Sequence, residues 1–459
     1  MTIDDPGPPR PPYRNRIAIL PGDPPVAYRP GRVLLDQVAF GALEADEGFV
    51  VEQYDVEPVF SATDDHGGRI GELPPFGQWY RVSGVPDAAT LVEQFAAEGL
   101  DAQLDVVYFA NDADCCGCPA HPALAAQLVE KGWGANPWRA NPWRANPWSA
   151  NPWRANAEQL NVVATGRPPT SSVMPAPFRM LPPRPTAASG VVIGVLDSGL
   201  AGGWDNKDGY RPAVLGVDLE AMERISGPPD VPSQAMGSHP ADNYLDPVAG
   251  HGTFIAGIIE QLTPGCEIRV ERVFEPQGDV GTFELAFQLW YLMETVKPQI
   301  VNLSFGGTGR GVLFELLIDY YQEFHDVVFV AAAGNEGSCV EQYPAALASV
   351  IGVAGLGPTG PAEWSNYGPW VDACAPGTDI VSSFFATFDG ALPRINGIDS
   401  DDFDQWATWS GTSFAAPVVV AALAREMVTT GCSAPEAVER VVRAPHLARL
   451  PNMGTIVNY

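Results

Sequence analysis

The sequence predicts an α/β protein: a large domain with a buried parallel sheet over residues 188–459, preceded by a small α+β region and a Pro/Trp-repeat linker. Three observations predict it. From Ala188 onward, continuous apolar runs alternate with helical patterns, as expected of strands covered on both faces. Residues 31–112 hold strand-like runs around one amphipathic helical pattern. Between them, residues 135–154 repeat a five-residue unit four times.

The elements follow in order. Residues 1–30 are Pro-rich, with one strand expected at 16–20. Segments 48–54 and 78–83 read as strands, and 104–110 as an apolar strand. Over 87–99, Ala88, Leu91, Val92, Phe95 and Ala96 fall on one face of a helix. The repeat reads Ala-Asn-Pro-Trp-Arg, with Ser for Arg in the third unit. Pro at every fifth position excludes a continuous helix or a central strand. Two readings stay open for it: a low-complexity linker, or docking of Trp138, Trp143, Trp148 and Trp153 on a surface, since exposed Trp is unfavourable in water. Residues 167–187 read as an extended connector. Beyond them come strands at 190–196, 268–274, 300–305, 327–333 and 350–355, and helices at 283–295 and 312–324. The expected organisation is a Pro-rich segment 1–30, a regulatory or propeptide-like α+β domain 31–130, a linker 131–187 and a catalytic domain 188–459.

Composition removes several classes of function. The 459-residue chain has 26 Lys+Arg against 55 Asp+Glu, a formal net charge of −29. Nucleic-acid binding needs clustered basic residues and is excluded. An anionic membrane surface is disfavoured for the same reason. A hydrophobic fraction of 46% excludes wholesale disorder. The acidity is uneven, with net −8 over residues 1–187 and −21 over 188–459, a field that draws cationic segments. No run approaches roughly 18 apolar residues, so no membrane span is expected. The N-terminus lacks a basic n-region and an apolar h-region; a cytoplasmic location is expected, with secretion left open. Of seven cysteines, Cys266, Cys339, Cys374 and Cys432 stand singly and read as small buried hydrophobes. Cys115, Cys116 and Cys118 cluster near His121. A zinc site is weighed there against a turn with free or disulfide-linked thiols; the turn is preferred and no metal ligand is assigned.

Four short motifs carry chemistry. Asp197, in Val-Leu-Asp-Ser-Gly, stands at the carboxyl end of an apolar strand, where α/β sheets place reactive groups. His251 lies between two glycines and opens an apolar helix. Ser413, in Gly-Thr-Ser-Phe-Ala-Ala-Pro, stands at the start of a helix running to about residue 428, where free N–H groups favour developing negative charge. Asn335, in Ala-Gly-Asn-Glu-Gly, ends another apolar strand, and its amide is of the kind that donates to an oxyanion. Taken singly, Asp197 reads rather as a cap or turn former and Ser413 as an N-cap.

Together, in the order Asp, His, Asn, Ser, these segments resemble the four signature segments of the subtilisin-like serine proteases. The resemblance covers about 188–459 and implies a three-layer parallel-sheet protease domain. It implies a serine endopeptidase acting through an Asp197–His251–Ser413 triad and an acyl-enzyme, with Asn335 and the Ser413 N–H binding the oxyanion. It also places Ser304, Phe305 and Gly306 on the substrate-pairing strand at the S1 rim, Ala333 and Gly334 on the opposite S1 wall, and Glu341 and Gln342 at the S1 floor. An acidic floor favours a basic residue at P1. No cofactor is required; calcium is implied for the family, without a site that can be placed here. The expected partner is a protein or peptide substrate. The N-terminal region is expected to dock on the catalytic domain and restrain or position it, cleavage within 135–187 releasing it. Residues 384–408 read as a surface insertion beside the site.

An α/β-hydrolase esterase would need a Gly-x-Ser-x-Gly elbow and the order Ser, Asp, His; neither is present. A zymogen-like or non-catalytic binding protein that kept the fold is the alternative; no triad member is lost.

Overall fold

Parallel strands with apolar side chains on both faces need cover on both faces. The computed structural model describes residues 17–45, 53–61, 70–110, 174–176, 189–201, 214–216, 248–274, 278–385, 388–389 and 402–457, and it has that arrangement. The main sheet runs Val214–Gly216, Glu267–Arg272, Val192–Asp197, Ile300–Leu303, Val328–Ala332, Val350–Gly357, Ala373–Pro376 and Gly454–Ile456, all parallel. Side chains alternate between the faces. Ile193, Val195, Ile300, Val328 and Val330 join a core with helices His251–Leu262 and Thr412–Thr430. Leu196, Val301, Leu303, Phe329 and Ala331 join a second core with helices Thr282–Thr295 and Val312–His325. These are the three layers expected from the sequence.

The Thr412–Thr430 helix is the one described helix long and apolar enough to cross a membrane. Its buried residues, from Thr412 through Met427, place it in the core instead.

The second core continues into the N-terminal module, through Val33, Leu35, Phe40, Phe60, Trp79, Val82, Leu104, Val106 and Tyr108. This module is an antiparallel sheet of Ala18–Leu20, Val26–Asp36, Asp55–Pro58, Trp79–Ser83 and Ala102–Ala110, with helices Gln37–Glu44 and Ala88–Glu98. Asp87 caps the second helix by accepting from Thr90 N–H, and Gly99 ends it in the left-handed conformation, so the helix expected at 87–99 closes where its caps require. The strand expected at 48–54 lies mostly outside the described residues; the strand found is Asp55–Pro58. The Cys115–Cys118 cluster and the Trp repeat also lie outside them.

The module's sheet is completed by two segments from the other half of the chain. Asp279–Gly281 and Phe305–Gly306 both pair antiparallel with Ala102–Ala110. The Ala110 N–H also donates to Gly278 O at 3.0 Å. Aromatic contacts extend the seam: Tyr108 to Phe305 at 6.0 Å between centroids and Phe60 to Trp290 at 5.7 Å.

The reading of 384–408 as a surface insertion is corrected at its described ends. Phe384, Phe385, Phe403 and Trp406 are all under 5% exposed and sit in the first core, because Ile380–Ser383 pairs with Trp406–Trp409 against it. Cys266 and Cys374 are buried as expected, whereas Cys339 is exposed.

Charge crosses the same seam. Arg29 pairs with Asp279 at 2.6 Å, Arg32 with Glu284 at 3.5 Å and Arg81 with Glu284 at 3.2 Å across it, while Arg32–Asp105 at 3.6 Å and Arg81–Glu57 lie within the module. Asp105 is fully buried and accepts from Phe283 N–H at 3.2 Å, at the start of a helix that has no side-chain cap of its own. Burial, then Glu284, pushes the Asp105 carboxyl up to about 6; Arg29, Arg32 and the Phe283 N–H oppose this.

The folded state therefore holds a proton that an exposed carboxyl has lost, and the stability this contributes is complete below about pH 4 and lost as pH rises through about 6. The melting temperature of the full chain is expected to fall across that window, and Asp105→Asn to flatten the fall. An unchanged slope in Asp105→Asn would contradict this assignment.

Candidate active site

Asp197 ends its strand at the point where the strand order turns. From Val192–Asp197 the chain runs to Val214–Gly216 and Glu267–Arg272 on one side, then crosses to Ile300–Leu303 on the other. Carboxyl ends flanking such a switch leave a crevice for ligands. Asp197 is fully buried, and its Oδ1 accepts from Ser198 N–H at 2.8 Å and lies 2.7 Å from His251 Nδ1. His251, also fully buried, is the first residue of its helix. Gly252 permits that approach: a Cβ there would lie 2.4 Å from Gly199 O. The Gly252 N–H donates to Ser198 Oγ at 2.9 Å, tying the helix start to the turn after Asp197. Trp409 and Phe414 flank the imidazole, with centroids at 5.5 and 5.3 Å. A carboxylate accepts only, so the proton belongs on Nδ1 and Nε2 is left as the basic nitrogen.

Ser413 is the second residue of the Thr412–Thr430 helix, which packs against the His251 helix. Pro417 lies four residues on and has no N–H for the Ser413 carbonyl. The Ser304 hydroxyl supplies the missing donor at 2.8 Å and accepts in turn from Asn302 Nδ2 at 2.8 Å. Ser413 Oγ donates to Ser304 O at 3.4 Å. Ser304, expected at the S1 rim, thus has its side chain buried beneath Ser413, while Phe305–Gly306 forms the short strand that pairs with Phe109 and Ala110.

Asn335 follows the strand Val328–Ala332. Its Oδ1 accepts from Thr412 N–H at 2.8 Å and from Thr412 Oγ1 at 2.9 Å. The amide oxygen is thereby turned to Thr412, the residue before Ser413. Thr412 Oγ1 also accepts from Gly334 N–H at 3.0 Å. Ala333 and Gly334 are buried next to this contact. Of the pair expected at the S1 floor, Gln342 is buried, and Glu341 is exposed and accepts from Tyr343 OH at 2.7 Å.

The structure therefore gathers Asp197 with His251, Asn335 with Thr412, and Ser413 with Ser304. Sequence reasoning assigned no part to Thr412, although it stands inside the Gly-Thr-Ser motif. Neither did it place Phe109 and Ala110 beside Phe305 and Gly306. Among the described residues no group of three or more His, Cys, Asp or Glu side chains is placed to hold a metal ion.

The family model described as "Subtilase family" matches residues 188–442. A "Thermophilic serine proteinase" of Bacillus sp. (strain AK1) is 33% identical over 203 residues, which is 41% of this chain and 46% of that protein. "Thermitase" of Thermoactinomyces vulgaris is 29% identical over 216 residues, 42% of this chain and 76% of that one. The chain thus spans under half of the first relative's length. A crystal structure of a cold adapted subtilisin-like serine proteinase aligns with TM-score 0.43 and 20% identity, covering 62% of this chain and 94% of that one.

If Asn335 Nδ2 donates to developing charge, Asn335→Ala is expected to lower kcat for peptide hydrolysis by about 10²–10³ with KM little changed. Thr412→Val, which keeps the Thr412 N–H bond to Asn335 Oδ1 but removes both hydroxyl bonds, to Asn335 Oδ1 and from Gly334 N–H, is expected to cost about tenfold. Steady-state kinetics on both variants checks this.

Proposed function

The chain belongs to the subtilase family, and on that premise we propose that it is a serine endopeptidase whose resting form is restrained by its own N-terminal module. The 2.7 Å contact between Asp197 and His251, fully buried at the carboxyl end of the switch-point strand, carries the catalytic reading. Asp197 holds the imidazole with Nδ1 protonated and stabilises its charged form. His251 Nε2 takes the proton of Ser413 Oγ as the oxygen attacks the peptide carbonyl, then passes it to the leaving amine. The oxyanion is met by Asn335 Nδ2 and the Ser413 N–H, the latter at a helix start where partial positive charge gathers. Water resolves the acyl-enzyme by the reverse proton path.

Restraint is supported by the strand Ala102–Ala110. It adds to Asp279–Gly281 and Phe305–Gly306 as an extended substrate would, through main-chain hydrogen bonds at a sheet edge. A zymogen-like state follows, and cleavage within 135–187 remains the proposed release step. Once freed, the acidic domain would draw cationic segments, and Glu341 would favour a basic P1 residue.

Ser413→Ala is expected to lower peptide hydrolysis by about 10⁴-fold or more. Ala110→Pro, which removes the donor to Gly278 O, is expected to raise the rate of the full chain about three- to tenfold, one hydrogen bond's worth of restraint. A fluorogenic peptide assay decides both. Full activity in Ser413→Ala would remove the protease reading, and an unchanged rate in Ala110→Pro would remove the restraint.

A further inference from the structure

Asn335 can serve an oxyanion only if the loop that carries it is rigid, and one buried side chain outside the four motifs holds that loop. Asn366 is fully buried in the segment Ser365-Asn366-Tyr367-Gly368. Its backbone N–H donates to Gly334 O at 2.9 Å. Its Nδ2 donates to Ala333 O at 3.0 Å and to Glu336 Oε2. Its Oδ1 accepts from Glu336 N–H at 3.1 Å and Ser338 N–H at 2.9 Å. One residue thus binds the loop on both sides of Asn335. Gly334 makes room for it: its φ is +102°, and a Cβ there would lie 2.4 Å from Asn366 Nδ2.

We infer that Asn366 is a positioning residue, which clamps loop 333–338 so that Asn335 presents Nδ2 to the oxyanion; the inference rests on the protease reading. Thr412 fixes how the Asn335 amide is turned, and Asn366 fixes where its backbone stands. Truncating Asn366 leaves Asn335 present but misplaced, and a donor displaced by about 1 Å loses much of its effect on the transition state and little on substrate binding.

The test is a double-mutant cycle on the full chain with a fluorogenic peptide. Asn366→Ala is expected to lower kcat about 10- to 100-fold with KM within about twofold. In an Asn335→Ala background the same substitution is expected to change kcat by less than about twofold. Asn366→Asp keeps the acceptor and sets a carboxylate against Glu336; it is expected to lose activity, and Glu336→Gln in that variant to restore part of it by reversing the donor. Additive losses in the cycle, a change in KM alone, or no rescue by the swap would overturn the inference. The last outcome is independent of whether Asn366→Ala folds. Failure of both the wild type and the loosened Ala110→Pro variant to react with a fluorophosphonate would instead overturn the protease reading, and this inference with it.

Discussion

A carboxylate and an imidazole buried together set the terms for the protein's centre. Taking Asp197 and His251 out of water is costly unless each finds a partner at hydrogen-bond distance, and they lie 2.7 Å apart. That contact requires a strand to end at Asp197, a helix to begin at His251, and a glycine at 252 so that backbone can approach backbone. It also requires a dry wall, which Trp409 and Phe414 provide from the Ser413 strand–helix unit. The helix that begins with Thr412 and Ser413 thus also helps to wall in the His251 imidazole.

Around this pair the backbone polar groups are accounted for locally. Pro417 takes a hydrogen bond away from the Ser413 carbonyl, and the Asn302–Ser304 relay returns one. Asn335 is fastened to Thr412, the residue next to Ser413. Beyond the centre, the edges at Asp279–Gly281 and Phe305–Gly306 would otherwise expose unpaired N–H and C=O groups. The strand Ala102–Ala110 fills them, while Arg29 faces Asp279 and Arg32 and Arg81 face Glu284. The local excess of negative charge and the open ladder are met by the same module.

Five strands of the main sheet were legible because they are continuous apolar runs, as at Val192–Asp197 and Val328–Ala332, and the four motif residues because each stands at the end of such a run or the start of a helix; Val214–Gly216, Ala373–Pro376 and Gly454–Ile456 are too short to show such a run. Val26–Asp36 was not legible. Arg29, Pro30, Gly31 and Arg32 interrupt its apolar pattern, and the chain accommodates them by a register shift between Tyr28 and Val33, with Gly31 at φ +72°. The buried places of Phe384 and Trp406 were hidden by the polar, Gly- and Asp-rich stretch between them. Pairing between Ala110 and Phe305 leaves no local mark, since period and turn signals report neighbours along the chain. Asn366 sits in an aperiodic loop, and its part becomes visible only with its partners in place.

The most direct measurement is mass mapping of the full chain after reaction with a fluorophosphonate. A nucleophile activated by the buried Asp197–His251 pair should yield one adduct, on the peptide containing Ser413, and Asp197→Asn should slow its formation by orders of magnitude. An adduct elsewhere, or equal labelling in Asp197→Asn, would contradict the assignment of this centre.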